Sequence, residues 1–141
     1  MTALIDTNQL IEDFAFLDTW EDRYAYVLEL GRGLDPLGDD ERNDATRVKG
    51  CVSQVWLITE PKNGDALHFR GDSDSLIVRG LIAILRILFS GKSCKEILAT
   101  NPAPVLAKLG LDQHLSQQRA NGLAAMITRI KAEAAVICDK A

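Results

Sequence analysis

Apolar positions recur at helical spacing toward both ends of the chain and alternate only in the middle. Over Asn8 to Leu17, the side chains Leu10, Ile11, Phe14 and Leu17 share one face, which predicts a short amphipathic helix. Thr19 opens a second helix, with Asp22 at capping-box spacing and Trp20, Tyr24, Val27 and Leu28 as its apolar stripe. Gly31 and Gly33 are expected to stop it. Asp35 to Thr46 is polar, contains Pro36, Gly38 and the acidic group Asp39, Asp40 and Glu41, and reads as a loop. From Val52 to Thr59 the period changes to two. Val55, Leu57 and Thr59 fall on one face and Gln54, Trp56 and Ile58 on the other, which predicts a strand. Pro61 with Asn63, Gly64 and Asp65 marks a turn, and Ala66 to Gly71 reads as a second strand paired antiparallel with the first. Arg47 and Val48 are expected to add a short third strand.

Asp72 or Ser73 caps the next helix, which runs to about Phe89 and carries Asp74 in its first turn, where a carboxylate complements the helix dipole. That helix is apolar almost all round, so it is expected to be central and buried. Ser93 and Glu96 form a second capping box, opening a short helix to Ala99. Pro102 and Pro104 break the chain, and a turn of helix follows at Val105 to Leu109. Ser116 caps the last helix, whose stripe is Leu123, Met126, Ile127, Ile130, Ala134 and Ile137. Asn121 and Gly122 are a turn signal inside it. The periodicity runs on past them, so Gly122 is read as a point of close packing. The expected architecture is α+β: a small antiparallel sheet of two or three strands flanked by helices, in one domain spanning 1–141.

Composition narrows the class. At 141 residues and 47% hydrophobic, the chain can bury a useful core. A net charge of −4 without a block of like charges gives no electrostatic support for nucleic acid or an anionic membrane. The most apolar run, Leu76 to Phe89, contains Arg79 and Arg86 and falls short of the roughly 20 apolar residues of a membrane span. Asp6, Glu12 and Asp13 stand where a signal peptide would have a basic start and an apolar core, so export is not expected. The three cysteines, Cys51, Cys94 and Cys138, are odd in number and far apart. They make no CxxC, and His68 and His114 add no metal-ligand spacing. The expectation is a cytoplasmic protein without a disulfide framework, whose thiols stay free.

The residues from Val48 to Trp56 then carry the most chemistry. Gly50 allows a sharp turn immediately before Cys51, placing that thiol between a loop and a strand. Arg47 and Lys49 are close enough in sequence to favour the thiolate, the nucleophilic form. With no histidine placed as a base, such a thiol suits sulfur exchange better than acyl transfer. Against this stands the ordinary reading of a lone cysteine as a small buried hydrophobe. Cys94 is a rival, because it lies in the first turn of a capped helix where the dipole also lowers a thiol pKa. Cys138 reads as a side chain near the end of the last helix. His68 and His114 read as structural or surface residues, and Asp74 as a surface residue. Arg119 is a long basic side chain in a first helical turn, where the dipole does not favour it, which hints at a contact.

Gly50-Cys51-Val52-Ser53-Gln54-Val55-Trp56 resembles the cysteine motif of the SufE family of sulfur acceptors in iron–sulfur cluster assembly. Gly71-Asp72-Ser73-Asp74 with Ile77-Val78-Arg79-Gly80-Leu81 resembles its second signature. Leu115-Ser116, Arg119, Gly122 and Leu123 resemble its third, and Trp20-Glu21-Asp22-Arg23-Tyr24 with Leu30-Gly31 also match. The ordered motifs extend over nearly the whole chain and are shared by the SufE and CsdE branches. Val52 and Gln118 depart from the residues common at those positions.

The resemblance implies a fold like SufE and the IscU-type scaffolds, and it settles Cys51 against Cys94, which matches no motif. Cys51 then accepts sulfur from a pyridoxal-phosphate cysteine desulfurase of SufS or CsdA type, stimulates that enzyme, and passes the sulfur to an Fe–S scaffold of SufBCD type. The cofactor belongs to the partner enzyme, and none is expected here. Lys49, Gly50, Val52, Ser53, Gln54, Asp74 and Arg119 are implied at the partner-facing surface of a monomer or weak homodimer. Cys51 is expected to be partly buried in the free protein, shielded by Val52 and Trp56, and to swing out on docking. The alternatives are a regulatory module of a desulfurase with a structural Cys51, and a cluster scaffold, which needs several thiolate ligands close together.

Overall fold

The computed structural model describes residues 5–62 and 66–140, so the expected turn at Asn63 to Asp65 lies outside the described residues. The first helix, α1, covers Thr7–Ala15, and Asp6 caps it by accepting from Gln9 N; Leu10 and Phe14 are its buried positions. The second, α2, covers Trp20–Arg32, and Thr19 accepts from Asp22 N as its spacing predicts. Gly33 is its C-cap, but Gly31 lies inside the helix. A single turn of 3-10 helix at Asp39–Glu41 interrupts the polar loop that follows.

Two strands come next, β1 over Val55–Pro61 and β2 over Ala66–Ser73, paired antiparallel with Val55 opposite Ser73. The alternation holds: Val55 and Leu57 are buried, Trp56 and Ile58 half-buried. The first strand starts three residues later than its β-branched pattern implied, because Val52 to Gln54 turn to reach the end of β2 instead of joining the ladder. Asp72 and Ser73 belong to β2, and Ser75 is the N-cap of the central helix α3, Leu76–Phe89. Asp74 therefore precedes the helix and does not fall in its first turn.

All residues of α3 except Leu76, Arg79 and Arg86 are buried. It crosses α2 at very close range. A Cβ on Gly31 would come within 2.6 Å of the Leu76 carbonyl oxygen, and one on Gly80 would fall against the carbonyl oxygen of Val27. Gly31 thus serves helix packing, not termination. Near the crossing, the guanidinium of Arg79 bonds the carbonyl oxygens of Gly31 and Leu34 and the carboxylate of Asp72. Asp72 is only 2% exposed and also accepts from Leu37 N at 3.0 Å and Ser73 N at 2.8 Å. A buried carboxylate needs this degree of satisfaction.

The sheet is completed by β3, Lys92–Ser93, which pairs with β2, giving the order β1-β2-β3. Arg47 makes only an isolated bridge with Trp56. Ser93 and Glu96 then close the expected capping box of α4, Cys94–Ala99. Pro104 sits in the first turn of α5, Ala103–Lys108, where a missing N–H is harmless, so it does not break the helix. A short α6, Leu111–His114, was not legible from periodicity. The last helix, α7, covers Gln117–Lys140, buries Gly122, Leu123, Met126, Ile130 and Ala134, and packs on α4 and α3. The fold is α+β, a three-stranded antiparallel sheet with helices around it. Among the described residues, no helix is long and apolar enough to cross a membrane.

Cys94 and Cys138 are joined in a disulfide, with Cα atoms 5.8 Å apart, against the expectation of free thiols. The start of α4 and the end of α7 lie side by side, an adjacency that 44 residues of separation hid in the sequence. Cys51 is the free cysteine.

Candidate functional site

The loop carrying Cys51 is closed at its base by two backbone bonds, Val48 N to Val55 O at 2.8 Å and Leu57 N to Thr46 O at 2.9 Å. Gly50 turns with φ of +92°, a conformation that favours glycine. Gln54 fixes the far side. Its N–H donates to the Asp74 carboxylate at 3.0 Å, and its carbonyl accepts from Ser73 Oγ at 2.7 Å. Arg129 on α7 holds the approach by donating to the carbonyl oxygens of Ala45 at 2.6 Å and Arg47 at 3.0 Å. The result is a short loop pinned at three places, between which Lys49 to Ser53 have no strand partner.

Cys51 is half-buried, and its thiol points at α7, where Sγ lies 3.6 Å from the carbonyl oxygen of Gly122. A Cβ on Gly122 would sit 3.6 Å from that sulfur. The close packing expected at Gly122 is therefore against the thiol. Together with Ser53, Val78, Leu81, Arg119 and Met126, Cys51 lines a pocket of about 200 Å³. Val78 and Leu81 of α3 make its apolar floor, while Ser116, Gln118 and Arg119 bring polar groups to its rim. Ser116 caps α7 by accepting from Arg119 N at 3.3 Å, and this positions the exposed Arg119 beside the pocket.

Burial pushes the Cys51 thiol pKa up, and Arg47 pulls against it without prevailing. Arg47 does favour the thiolate, as its place in the sequence suggests, but burial outweighs it in the free protein. Desolvation outweighs one guanidinium, and sequence distance carries no measure of desolvation.

Of the residues singled out from sequence, Cys51, Val52, Ser53 and Arg119 meet at this pocket. Gly50 turns the chain into it, and Asp74, itself exposed, reaches it through Gln54. Lys49 is exposed and does not line it. The expected shield needs correction. Val52 is 75% exposed, and Trp56 lies under the Arg42 guanidinium, 5.9 Å away, outside the pocket. The cover over the sulfur comes from α7. Helical periodicity marked the floor residues Val78, Leu81 and Met126 only as core, and the second signature, which contains Val78 and Leu81, did not place them beside the thiol. His68 bonds Ser90 Oγ at 3.0 Å, and His114 stacks on Trp20 at 4.6 Å. Among the described residues, no three or more His, Cys, Asp or Glu side chains gather in a metal-binding group.

Residues 8–134 match the family model SufE, described as an Fe-S metabolism associated domain. An uncharacterized SufE-like protein of Rhizobium meliloti is 52% identical over 138 residues, covering 95% of this chain and 96% of that protein. A second, from Rhizobium etli, is 49% identical over 133 residues, covering 92% and 89%. The solution structure of a hypothetical protein from Thermus thermophilus superposes with a TM-score of 0.73 at 22% identity, over 91% of this chain and 92% of that one. At that identity the likeness concerns the fold.

Proposed function

We propose, for a chain that belongs to the SufE family, that Cys51 accepts sulfane sulfur from a pyridoxal-phosphate cysteine desulfurase and passes it to an iron–sulfur cluster scaffold. The observation that carries the reading is that Cys51 is the one cysteine here with a free thiol, set in a small pocket under a pinned loop. In the acceptor step, the Cys51 thiolate attacks the terminal sulfur of the enzyme's persulfide. A bond forms from Cys51 Sγ to that sulfur, the sulfur–sulfur bond of the donor breaks, and the donor leaves as a thiolate. The thiol proton goes to a base or to water, and there is no net oxidation.

The raised pKa keeps the resting thiol protonated and slow toward adventitious oxidants. Docking of an enzyme that desolvates the loop differently and brings its own charges releases the nucleophile. The exposed Val52 offers an apolar contact, and Lys49, Gly50, Ser53, Gln54, Asp74 and Arg119 surround it as the docking face. The pocket beneath gives a terminal sulfur a place out of reach of solvent between handoffs.

The test is peptide mass spectrometry after incubation with a cysteine desulfurase and free cysteine, without reductant. The expected result is a gain of ~32 Da on the Cys51 peptide, reversed by a thiol reductant and absent in Cys51→Ser. Raised desulfurase turnover without any added sulfur would instead make the chain a regulatory module and overturn the carrier reading.

A further inference from the structure

Seven residues, or two turns, separate the two arginines of α3, so Arg79 and Arg86 project from the same side of an otherwise apolar helix. Arg79 is fully used by two backbone carbonyls and the Asp72 carboxylate. Among the described residues Arg86 has no such partner: its buried Nε finds no hydrogen-bond acceptor there, and no carboxylate there forms an ion pair with it. A guanidinium in that position is costly to leave unsatisfied, and native structures rarely do so without a reason.

Arg86 lines a cavity of about 850 Å³, within the size range of small-ligand sites. Leu30 and Leu34 on one side and Ala83 and Ile87 on the other make apolar walls. The remaining charges at the cavity nearly cancel. Glu29 pairs with Arg32, and Arg70 with Glu41 and Glu60. Arg70 thus faces two carboxylates, and with Arg86 and Lys62 set against Asp35 the charges around the cavity sum to zero, so the unpaired Arg86 guanidinium is a local feature and not part of a positive field. Burial works against the charge of Arg86, with Asp35 supporting it and Arg70 opposing it. The cavity shares no lining residue with the Cys51 pocket.

We infer that this cavity is a second binding site, which takes a small monocarboxylate with an apolar body. The carboxylate sits on the Arg86 guanidinium, using the fork that includes Nε, and the apolar body lies against Leu30, Leu34, Ala83 and Ile87. A planar fork matches a carboxylate in two-point contact. A dianion is disfavoured because Asp35, Glu29 and Glu60 ring the same space, and a neutral ligand leaves the guanidinium unpaired.

The experiment is an NMR titration of the whole protein with octanoate, and separately with octanamide, which keeps the chain and loses the charge. Saturable octanoate shifts are expected at the Arg86 Nε–H and at Leu30 and Ile87, with octanamide binding weaker by about tenfold or more. Arg86→Met should lose the octanoate shifts by a similar factor, while Cys51→Ser should bind octanoate as the wild type does. No saturable shift, equal binding of the amide, or shifts that avoid Arg86 would each overturn the inference. The comparison of the two ligands on unaltered protein decides the matter even if the Arg86 variant does not fold.

Discussion

Cys51 Sγ lies 3.6 Å from the carbonyl oxygen of Gly122, and this contact places the thiol of one loop against the backbone of the longest helix. Glycine at that point is a poor helix former, so replacing it should stabilise α7 if nothing else is lost. Space decides what is lost. A Cβ would meet Sγ at 3.6 Å, an ordinary contact, so Gly122→Ala fits the reduced protein. A persulfide adds one more sulfur beyond Sγ, and a methyl group at position 122 would take the space on the side of the pocket that Sγ faces. Gly122→Ala should therefore raise stability by up to about 1 kcal/mol in urea unfolding while lowering the yield of Cys51 persulfide severalfold. Unchanged loading would show that the terminal sulfur is held elsewhere.

Asp72 ties three segments together: the chain after α2 through Leu37 N, the end of β2 through Ser73 N, and α3 through Arg79. Removing the carboxylate leaves the Arg79 guanidinium, 18% exposed at its side chain, without its charge partner. Asp72→Ala should lose about 3 kcal/mol or more in chemical denaturation, as expected when one member of a buried pair is deleted. Asp74→Ala, two residues on and exposed, should cost less than about 1 kcal/mol. Its effect should appear in faster amide exchange at Gln54 and faster alkylation of Cys51. Equal losses of stability for the two variants would contradict this division of labour.

Local patterns in the sequence carried the helices other than α6, the Thr19 and Ser93 caps, the two long strands and their pairing. Each is set by residues within a few positions of one another. What stayed hidden depends on residues far apart in the chain. Gly31 looked like a stop because the glycine it crosses, Gly80, belongs to a helix on the far side of the sheet sequence. Asp72 and Ser73 look like helix caps in isolation, yet the pairing of Val55 with Ser73 extends β2 through both. The same holds at the thiol. The turn at Gly50 was legible, whereas its cover from α7, the apolar floor from α3 and the resulting desolvation were not.

The Cys94–Cys138 disulfide closes a loop of 44 residues that contains α4 to α7. By chain entropy alone, such a crosslink stabilises by about 4 kcal/mol. The thermal midpoint of the oxidised protein should therefore fall on addition of a strong reductant, and Cys94→Ser/Cys138→Ser should match the reduced wild type. Cys51 lies outside the closed loop, so persulfide formation should survive in the double variant. Alkylation of the folded, unreduced protein should label one cysteine, Cys51. Labelling of all three would mean that the pair is open in solution.

The pH dependence of Cys51 follows from opposed effects of burial and charge. Burial raises its pKa and Arg47 lowers it, with burial the larger. Only the thiolate reacts with iodoacetamide, so the rate follows the ionised fraction. A raised pKa means less thiolate at any given pH. The rate–pH curve of the folded protein should therefore reach its midpoint above the ordinary thiol value, while in urea it should return to that value. Arg47→Ala removes the charge that favours ionisation and should move the folded midpoint further up, leaving the unfolded curve where it was. A folded midpoint below the unfolded one would show that charge outweighs burial at Cys51. The thiol would then be activated before any partner arrives, and the protected resting state assigned to it above would be wrong.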